Sequence, residues 1–466
     1  MRLAPLPASA RSPRTSTPRA TGGRRSPAVA WLLPLALAAC GASKAASPPR
    51  WEEPTDLGGA TYQGGSSLAG DGHGRLATAW LRRGANSTTE VVAVRMGPDG
   101  RWSDPQVLEV SDPPSGLQAP AVAVDSRGKG SIGWLAPLGG GSWALRTASV
   151  DLSAPSAAPA FGATATARVA NLQAPRGLSL AVGSDDSAMA AWLSDRTISE
   201  PPVDLSSVQV TRRGGDGGWS TPESYHLNQW SRQDLGCLAA HGQGSYLLVI
   251  FTGDDAFVDA EARAFGAGAA VPQDVAGWEP AVRYALPVHE SALATDGLGG
   301  LEAWLLYDGD TQVYPRQGTA SGAWTVGDPV PLPLPATILA VTREPGGAGW
   351  FAGAGAEGLW VAPLTGVAFG APQVLLGPAA QVNGLVAARD FAGAPALMWI
   401  QTRDGAVLGL GFTRWDGKAW TTPELVPGTA GAAVVGLSVA AGPSGLVAVW
   451  REDGAGGARL RSARWH

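Results

Sequence analysis

Few residues in this chain have the type and spacing that local catalytic chemistry needs. There is no Gly-x-Ser-x-Gly elbow, no phosphate-cradling glycine loop and no His-Glu-x-x-His pair. The five histidines, His73, His226, His241, His289 and His466, stand far apart, and the two cysteines, Cys40 and Cys237, do not join them at zinc spacing. No metal and no cofactor are expected. Asp71, Asp125 and Asp296 fall in turn-forming segments, where a carboxylate ordinarily accepts backbone N–H groups. What remains is hydrogen-bonding and stacking chemistry. Trp230 lies beside Asn228 and Gln229 and two residues before Arg232. An aromatic face among polar side chains suits a sugar ring or a partner's pocket. Asp195 and Arg196, with His289 and Glu290, add polar groups expected on the same face of the fold.

Composition narrows the class. Of 466 residues, 45% are hydrophobic and 16% charged, with 64 Gly and 37 Pro, which suits a folded chain cut into short elements and excludes long helices. Residues 1–39 carry six arginines and no acid, and an apolar run from Ala28 to Ala39 leads into Leu37-Ala38-Ala39-Cys40. That run is shorter than the roughly 20 residues of a membrane-spanning helix and reads as an export signal. Its end resembles the lipobox of bacterial lipoproteins, whose cysteine is acylated and becomes the new N-terminus. The resemblance implies lipidation at Cys40, and Gly41 after it favours the outer membrane. Residues 40–50 would be a short tether and residues 51–466 a single domain. Without residues 1–39 the formal charge is −11, from 28 basic and 39 acidic residues, which argues against nucleic acid as a partner.

A repeat organises the rest. An apolar run, a Gly-rich turn and an alternating run ending in an aromatic recur with markers at Trp80, Trp134, Trp192, Phe251, Trp304, Trp350, Trp399 and Trp450. A second phrase follows in most units: Trp102-Ser103-Asp104-Pro105, Trp219-Ser220-Thr221-Pro222 and Trp420-Thr421-Thr422-Pro423. Four short strands in a unit of about 50 residues make a propeller blade, and Pro suits its outer edge. The chain is expected to be all-β, an eight-bladed propeller of four-stranded antiparallel blades, or seven-bladed if 238–290 is an insertion. The stretch from Trp51 to Leu57 is an outer strand without a blade, and Arg459–His466 is a third strand without a fourth. Pairing the two would close the ring.

The pattern resembles sialidase-like propellers with BNR or Asp-box repeats, on Asp99-Gly100-Arg101-Trp102, Asp216-Gly217-Gly218-Trp219 and Asp416-Gly417-Lys418-Ala419-Trp420. It also looks like the quinoprotein type of an outer-membrane assembly lipoprotein. The sialidase resemblance implies a site with an arginine cluster for a carboxylate, a Tyr nucleophile and an acid, which here could be drawn from Arg82, Arg403, Arg451, Tyr62 and Glu452. Lacking a local motif, the chain is expected to be no enzyme but a monomeric, membrane-anchored platform binding a protein or glycan on its loop face. A glycoside hydrolase and an outer-membrane assembly scaffold are the alternatives.

Overall fold

The computed structural model describes residues 49–466, apart from 61–65, 112–115, 119, 141, 155–160, 170–174, 200–201, 215–216, 226–231, 241–245, 255–256, 266–272, 275–287, 296–300, 308–310, 319–323 and 345–346. Pro49–His466 form one compact unit. Its described elements are β-strands and one 3-10 turn, Ala85–Ser87. The all-β propeller expected from the repeat is the observed fold.

The described strands assemble into eight antiparallel sheets, numbered here in chain order. Sheet 1 shows the plan, with Ser67–Gly70 innermost, then Leu76–Arg83, Thr89–Met96 and, outermost, Gln106–Ser111. Sheets 2 to 7 begin at Ala121, Pro175, Arg232, Val288, Ile338 and Gln381. Sheet 4, Arg232 to Asp274, falls in the stretch that could have been an insertion, and it is a four-stranded sheet on the same plan as sheet 1; sheets 5 and 6 each add a short fifth strand. Inner strands neighbour one another from sheet 1 to sheet 4, and from sheet 5 through sheet 8 back to sheet 1.

Sheet 8 closes the ring. Its first three strands, Ala433–Gly442, Gly445–Gly454 and Gly457–Trp465, come from the end of the chain, and Thr55–Gly59 supplies the fourth. The seam extends beyond the ladder. Trp51 bridges Trp465, and Arg464 holds both Glu52 oxygens at 2.7 and 2.8 Å. His466 Nε2 also meets Glu52 Oε1 at 2.7 Å. Arg464 reaches across to the carbonyl of Gly100 in the third-to-outer turn of sheet 1, tying the closed sheet to its neighbour.

Among the described residues, sheets 1, 2, 6, 7 and 8 bury both faces against their neighbours, and period-two alternation decides which residue faces which way. Trp80 and Trp134 face the preceding sheet. Their indole N–H groups donate to Gly59 O and Glu109 Oε2 on that sheet's outer strand. Trp350 and Trp304 depart from this phase. Phe351, one residue on from Trp350, is the buried residue facing sheet 5, while Trp350 turns towards sheet 7 and packs on Trp415 and Trp420. Trp304 faces sheet 6, against Phe351 and Phe369.

The second phrase is also structural. Trp102 Nε1 donates to Ser462 Oγ at 2.8 Å and Trp219 Nε1 to Thr147 Oγ1 at 3.1 Å, each reaching the third strand of the preceding sheet. The hydroxyls that follow, on Ser103, Ser220 and Thr421, accept the N–H groups of Arg95, Arg212 and Arg414. Pro105, Pro222 and Pro423 immediately precede the outer ladder strands, so no ladder donor is lost.

Two predictions test this packing. A Cβ on Gly411 would stand 2.1 Å from the buried Trp399 ring. Gly411→Ala should therefore cost about 1–3 kcal/mol, read by urea titration. At the seam, burial opposes ionisation of Glu52, but hydrogen bonds from His466 and Arg464 outweigh it and hold the carboxyl below its ordinary range. That stabilisation is present at neutral pH and is lost as pH falls through the carboxylate range. Thermal melts from pH 7 down to 3 should show Glu52→Gln less stable than the parent at pH 7, with the difference shrinking towards pH 3.

Candidate functional site

In a ring of such sheets, the connections into each first strand and the hairpins between second and third strands emerge on one face. The opposite face carries the first-to-second turns. There Asp71 accepts the N–H groups of His73 and Arg75, and Asp125 those of Arg127 and Lys129, while an arginine guanidinium binds the second oxygen of each. These carboxylates are turn caps. Among the described residues no group of three metal-binding side chains occurs.

On the loop face, the structure separates residues that the sequence placed side by side. Arg451 and Glu452 are consecutive on the second strand of sheet 8 and therefore face opposite neighbours. Val449, two residues before Arg451, packs with Trp80 and Val92 of sheet 1, so Arg451 faces sheet 1. Its guanidinium is held by Asp453, with Nε 3.0 Å from Oδ1 and Nη2 3.2 Å from Oδ2. Arg82 continues the Trp80 face towards sheet 8, and its Nε and Nη2 donate to Glu90 Oε2 at 2.9 and 2.6 Å. The gap between sheets 8 and 1 thus presents two arginines, each oriented by a carboxylate.

Glu452 faces the other way. Trp450, two residues before it, packs against Met398, Leu410 and Phe412 of sheet 7. Across the ladder, Trp450 pairs with Arg461, Glu452 with Arg459, and Asp56 of the closing strand with Arg461, so all five share the face towards sheet 7. Arg459 Nη1 donates to Asp56 Oδ2 at 2.8 Å. Three buried polar atoms on this face have no hydrogen-bond partner, Trp450 Nε1, Arg461 Nε and Glu452 Oε2, and the first has counterparts in the indoles of Trp192, Trp304 and Trp399 in other sheets. Two donors and one acceptor face the same gap. Opposite them, Asn383 Nδ2 donates to Thr402 Oγ1 at 3.4 Å on sheet 7.

The remaining candidates are scattered. Arg403 is exposed at the hairpin of sheet 7, beside Asp404 at a φ of 49°, and belongs to the strand face that carries Trp399 towards sheet 6. Tyr62, Asn228, Gln229 and Trp230 lie outside the described residues, and Arg232 opens the inner strand of sheet 4. The segments around Asp195 and Arg196, whose polar residues suit a loop, are instead ladder. Asp195 pairs with Ser206 and Arg196 with Leu205, and pairing runs on to Ser199 and Pro202. His289 and Glu290 lie on the inner strand of sheet 5, with Glu290 partly buried opposite Leu306. Sequence reasoning did not single out Arg459, Arg461 or Asp56, whose shared face depends on the closing strand.

No family model and no curated protein matches the chain. Similar solved structures include a Dyadobacter fermentans protein of unknown function, at 12% identity over 89% of this chain and 99% of that one, TM-score 0.41. A polysaccharide lyase, Uly1, is 12% identical over 87% and 90%, TM-score 0.45. A Trypanosoma rangeli sialidase is 8% identical over 89% of this chain and 59% of its own, TM-score 0.40. Identities this low speak to the fold alone. The expectation that the chain is no enzyme is nevertheless corrected here. A polysaccharide lyase, an arabinanase and a sialidase stand among its structural neighbours, so this architecture does not mark a chain as non-catalytic.

A buried carboxylate oxygen without a partner carries a desolvation cost of about 1–3 kcal/mol. Glu452→Met, apolar and of similar length, should therefore raise the thermal midpoint, whereas Arg82→Ala at its more exposed pair should lower stability by under about 1 kcal/mol. Calorimetry of both variants checks this contrast.

Proposed function

We propose that the protein is a membrane-anchored β-propeller that engages a glycan through its hydroxyl groups, on the loop face between sheets 7 and 8. One observation carries this reading: Glu452 and Arg461, both half-buried on the same strand face, keep an acceptor, Oε2, and a donor, Nε, without a hydrogen-bond partner. A hydroxyl accepts and donates at once, so it complements that set where a carboxylate or an ammonium would match only one part of it. Local charge agrees. Arg459 is balanced by Asp56, and across sheet 8 Arg451 is balanced by Asp453 and Arg82 by Glu90, so the sector has little excess charge with which to capture an ion.

The anchor is read from the amino-terminal segment. A basic region, an apolar run and Leu37-Ala38-Ala39-Cys40 support export and acylation at Cys40, with Gly41 favouring the outer membrane. Acylation would hold the propeller at a membrane surface, where envelope or extracellular polysaccharide is within reach.

Immobilised oligosaccharides, neutral and acidic, provide the first test with the purified propeller. Retention of a neutral glycan, little changed between 50 and 500 mM salt and weakened at least tenfold in Glu452→Gln, is the expected result. Retention of acidic glycans alone, abolished by salt and indifferent to Glu452→Gln, would sink the reading. For the anchor, Cys40→Ser should move the protein from the membrane to the soluble fraction and abolish incorporation of an alkyne-tagged fatty acid.

A further inference from the structure

The face of the first-to-second turns carries a cluster of a different kind. Sheet 8 passes from its first to its second strand through Pro443 and Ser444, between the paired Gly442 and Gly445. The corresponding turns of sheets 1, 2 and 7 are longer, and they open on Asp71, Asp125 and Asp390, whose carboxylates accept backbone N–H groups of the same turn. A serine in a turn ordinarily bonds the nearby backbone in the same way. Ser444 instead points its hydroxyl out of the turn, with Oγ 2.5 Å from Nδ1 of His466. The other ring nitrogen, Nε2, lies 2.7 Å from Glu52 Oε1. A hydroxyl, an imidazole and a carboxylate therefore stand in series, drawn from a turn and from the two strands that close the ring.

The direction of the two hydrogen bonds follows from the groups. Glu52, held by Nε and Nη2 of Arg464, accepts and does not donate, so in the neutral ring Nε2 keeps the proton and Nδ1 is left as an acceptor. Ser444 Oγ–H donates to it. That is the arrangement in which a hydroxyl can pass its proton to imidazole as it attacks. Both halves are held in place. His466 N donates to Arg50 O at 3.2 Å, Glu52 N donates to Arg464 O at 2.7 Å, and Trp465 bridges Trp51 between them. The serine turn is gripped from two sides: a Cβ on Gly74 of sheet 1 would stand 2.4 Å from Pro443 Cα, and Phe391 N of sheet 7 donates to Gly445 O at 3.2 Å. Ser444 itself is exposed, and the neighbouring turn offers Phe391, an apolar ring 51% open to water.

We propose that Ser444 is a nucleophile for carboxylic esters with an apolar acyl group, with His466 as its base and Glu52 as the residue that positions the ring. Oγ bonds to the ester carbonyl carbon while its proton moves to Nδ1; the carbon–alkoxide bond then breaks, and Nδ1–H returns the proton to the departing alcohol. Water repeats the sequence on the acyl-serine, giving up one proton to Nδ1 and releasing the carboxylic acid as Oγ takes that proton back. Ester and water become acid and alcohol, and the protein is restored. Phe391 offers the acyl chain an apolar surface beside the serine turn. The site lies on the face opposite the glycan contact and does not depend on it.

A biotinylated alkyl fluorophosphonate, which bonds to activated serines, tests the nucleophile in the purified protein, with the adduct located by peptide mass. The parent should carry the adduct on Ser444 and hydrolyse p-nitrophenyl butyrate. Ser444→Ala, a change at an exposed turn, should keep the parent's thermal midpoint and lose both the adduct and the hydrolysis. His466→Ala should label about a hundredfold more slowly, and added imidazole should restore the labelling, an effect that a purely structural role of the ring would not produce. Glu52→Gln, which touches the base and not the ester, should lower kcat for the butyrate and leave KM unchanged. Absence of an adduct on Ser444 in the parent would overturn the proposal, and so would labelling of His466→Ala at the parent's rate or a parental kcat in Glu52→Gln.

Discussion

The sheets of this fold are packed face to face. The described sheets pack on their neighbours through aromatic and aliphatic side chains, so the ring has to close or leave one apolar surface and one ladder edge open to water. Closure rests on the antiparallel pairing of Thr55–Gly59 with Gly457–Trp465, reinforced by the Glu52–Arg464 pair. The same pairing fixes what lies around it. It brings Asp56 beside Arg459 and Arg461, places Gly59 under the Trp80 indole, and seats Trp51 on Phe412 with ring centroids 4.9 Å apart. The candidate site between sheets 7 and 8 is thus assembled from the two ends of the domain.

Much of this was legible in the sequence, because the features that repeat are the features that pack. The Trp markers, the Trp-Ser/Thr-x-Pro phrase and the lone outer strand near Trp51 all have one physical task, and the repeat displays it several times over. What could not be read was the facing of individual residues. Strand alternation has period two, so an uncertainty of one residue in phase reverses the answer. Trp350 and Phe351 exchange roles on that basis, and Arg451 and Glu452, adjacent in the chain, face different gaps. A hairpin extended to Ser199 and Pro202 was hidden in the same way, since the polar residues of 193–206 suit a loop and an exposed ladder equally well.

Charges in the structure divide by what holds them. Arg343 on the inner strand of sheet 6 is buried and paired with Glu302 of sheet 5, and it also donates to the carbonyls of Gly347 and Gly366. Arg389 makes the corresponding reach from sheet 7 to the carbonyl of Arg343. These arginines, on the face of the first-to-second turns, are fully engaged in tying one sheet to the next, and a buried charge so engaged is costly to disturb.

Glu452 and Arg461, between sheets 7 and 8, are less fully engaged, each keeping one buried polar atom without a partner towards the loop face. Buried donors and acceptors in native proteins are nearly always satisfied, because each one left bare costs free energy that folding has to recover elsewhere. Packing alone would favour an apolar residue at position 452, as it favours Val449 on the opposite face of the same strand. A carboxylate with a bare oxygen, on the same strand face as a guanidinium with a bare N–H, is therefore kept against the preference of the fold. The alternation that separates Glu452 from Arg451 gives these atoms their own gap, distant from the arginines that balance Glu90 and Asp453. A group able to donate to one and accept from the other satisfies both, and a sugar hydroxyl is such a group.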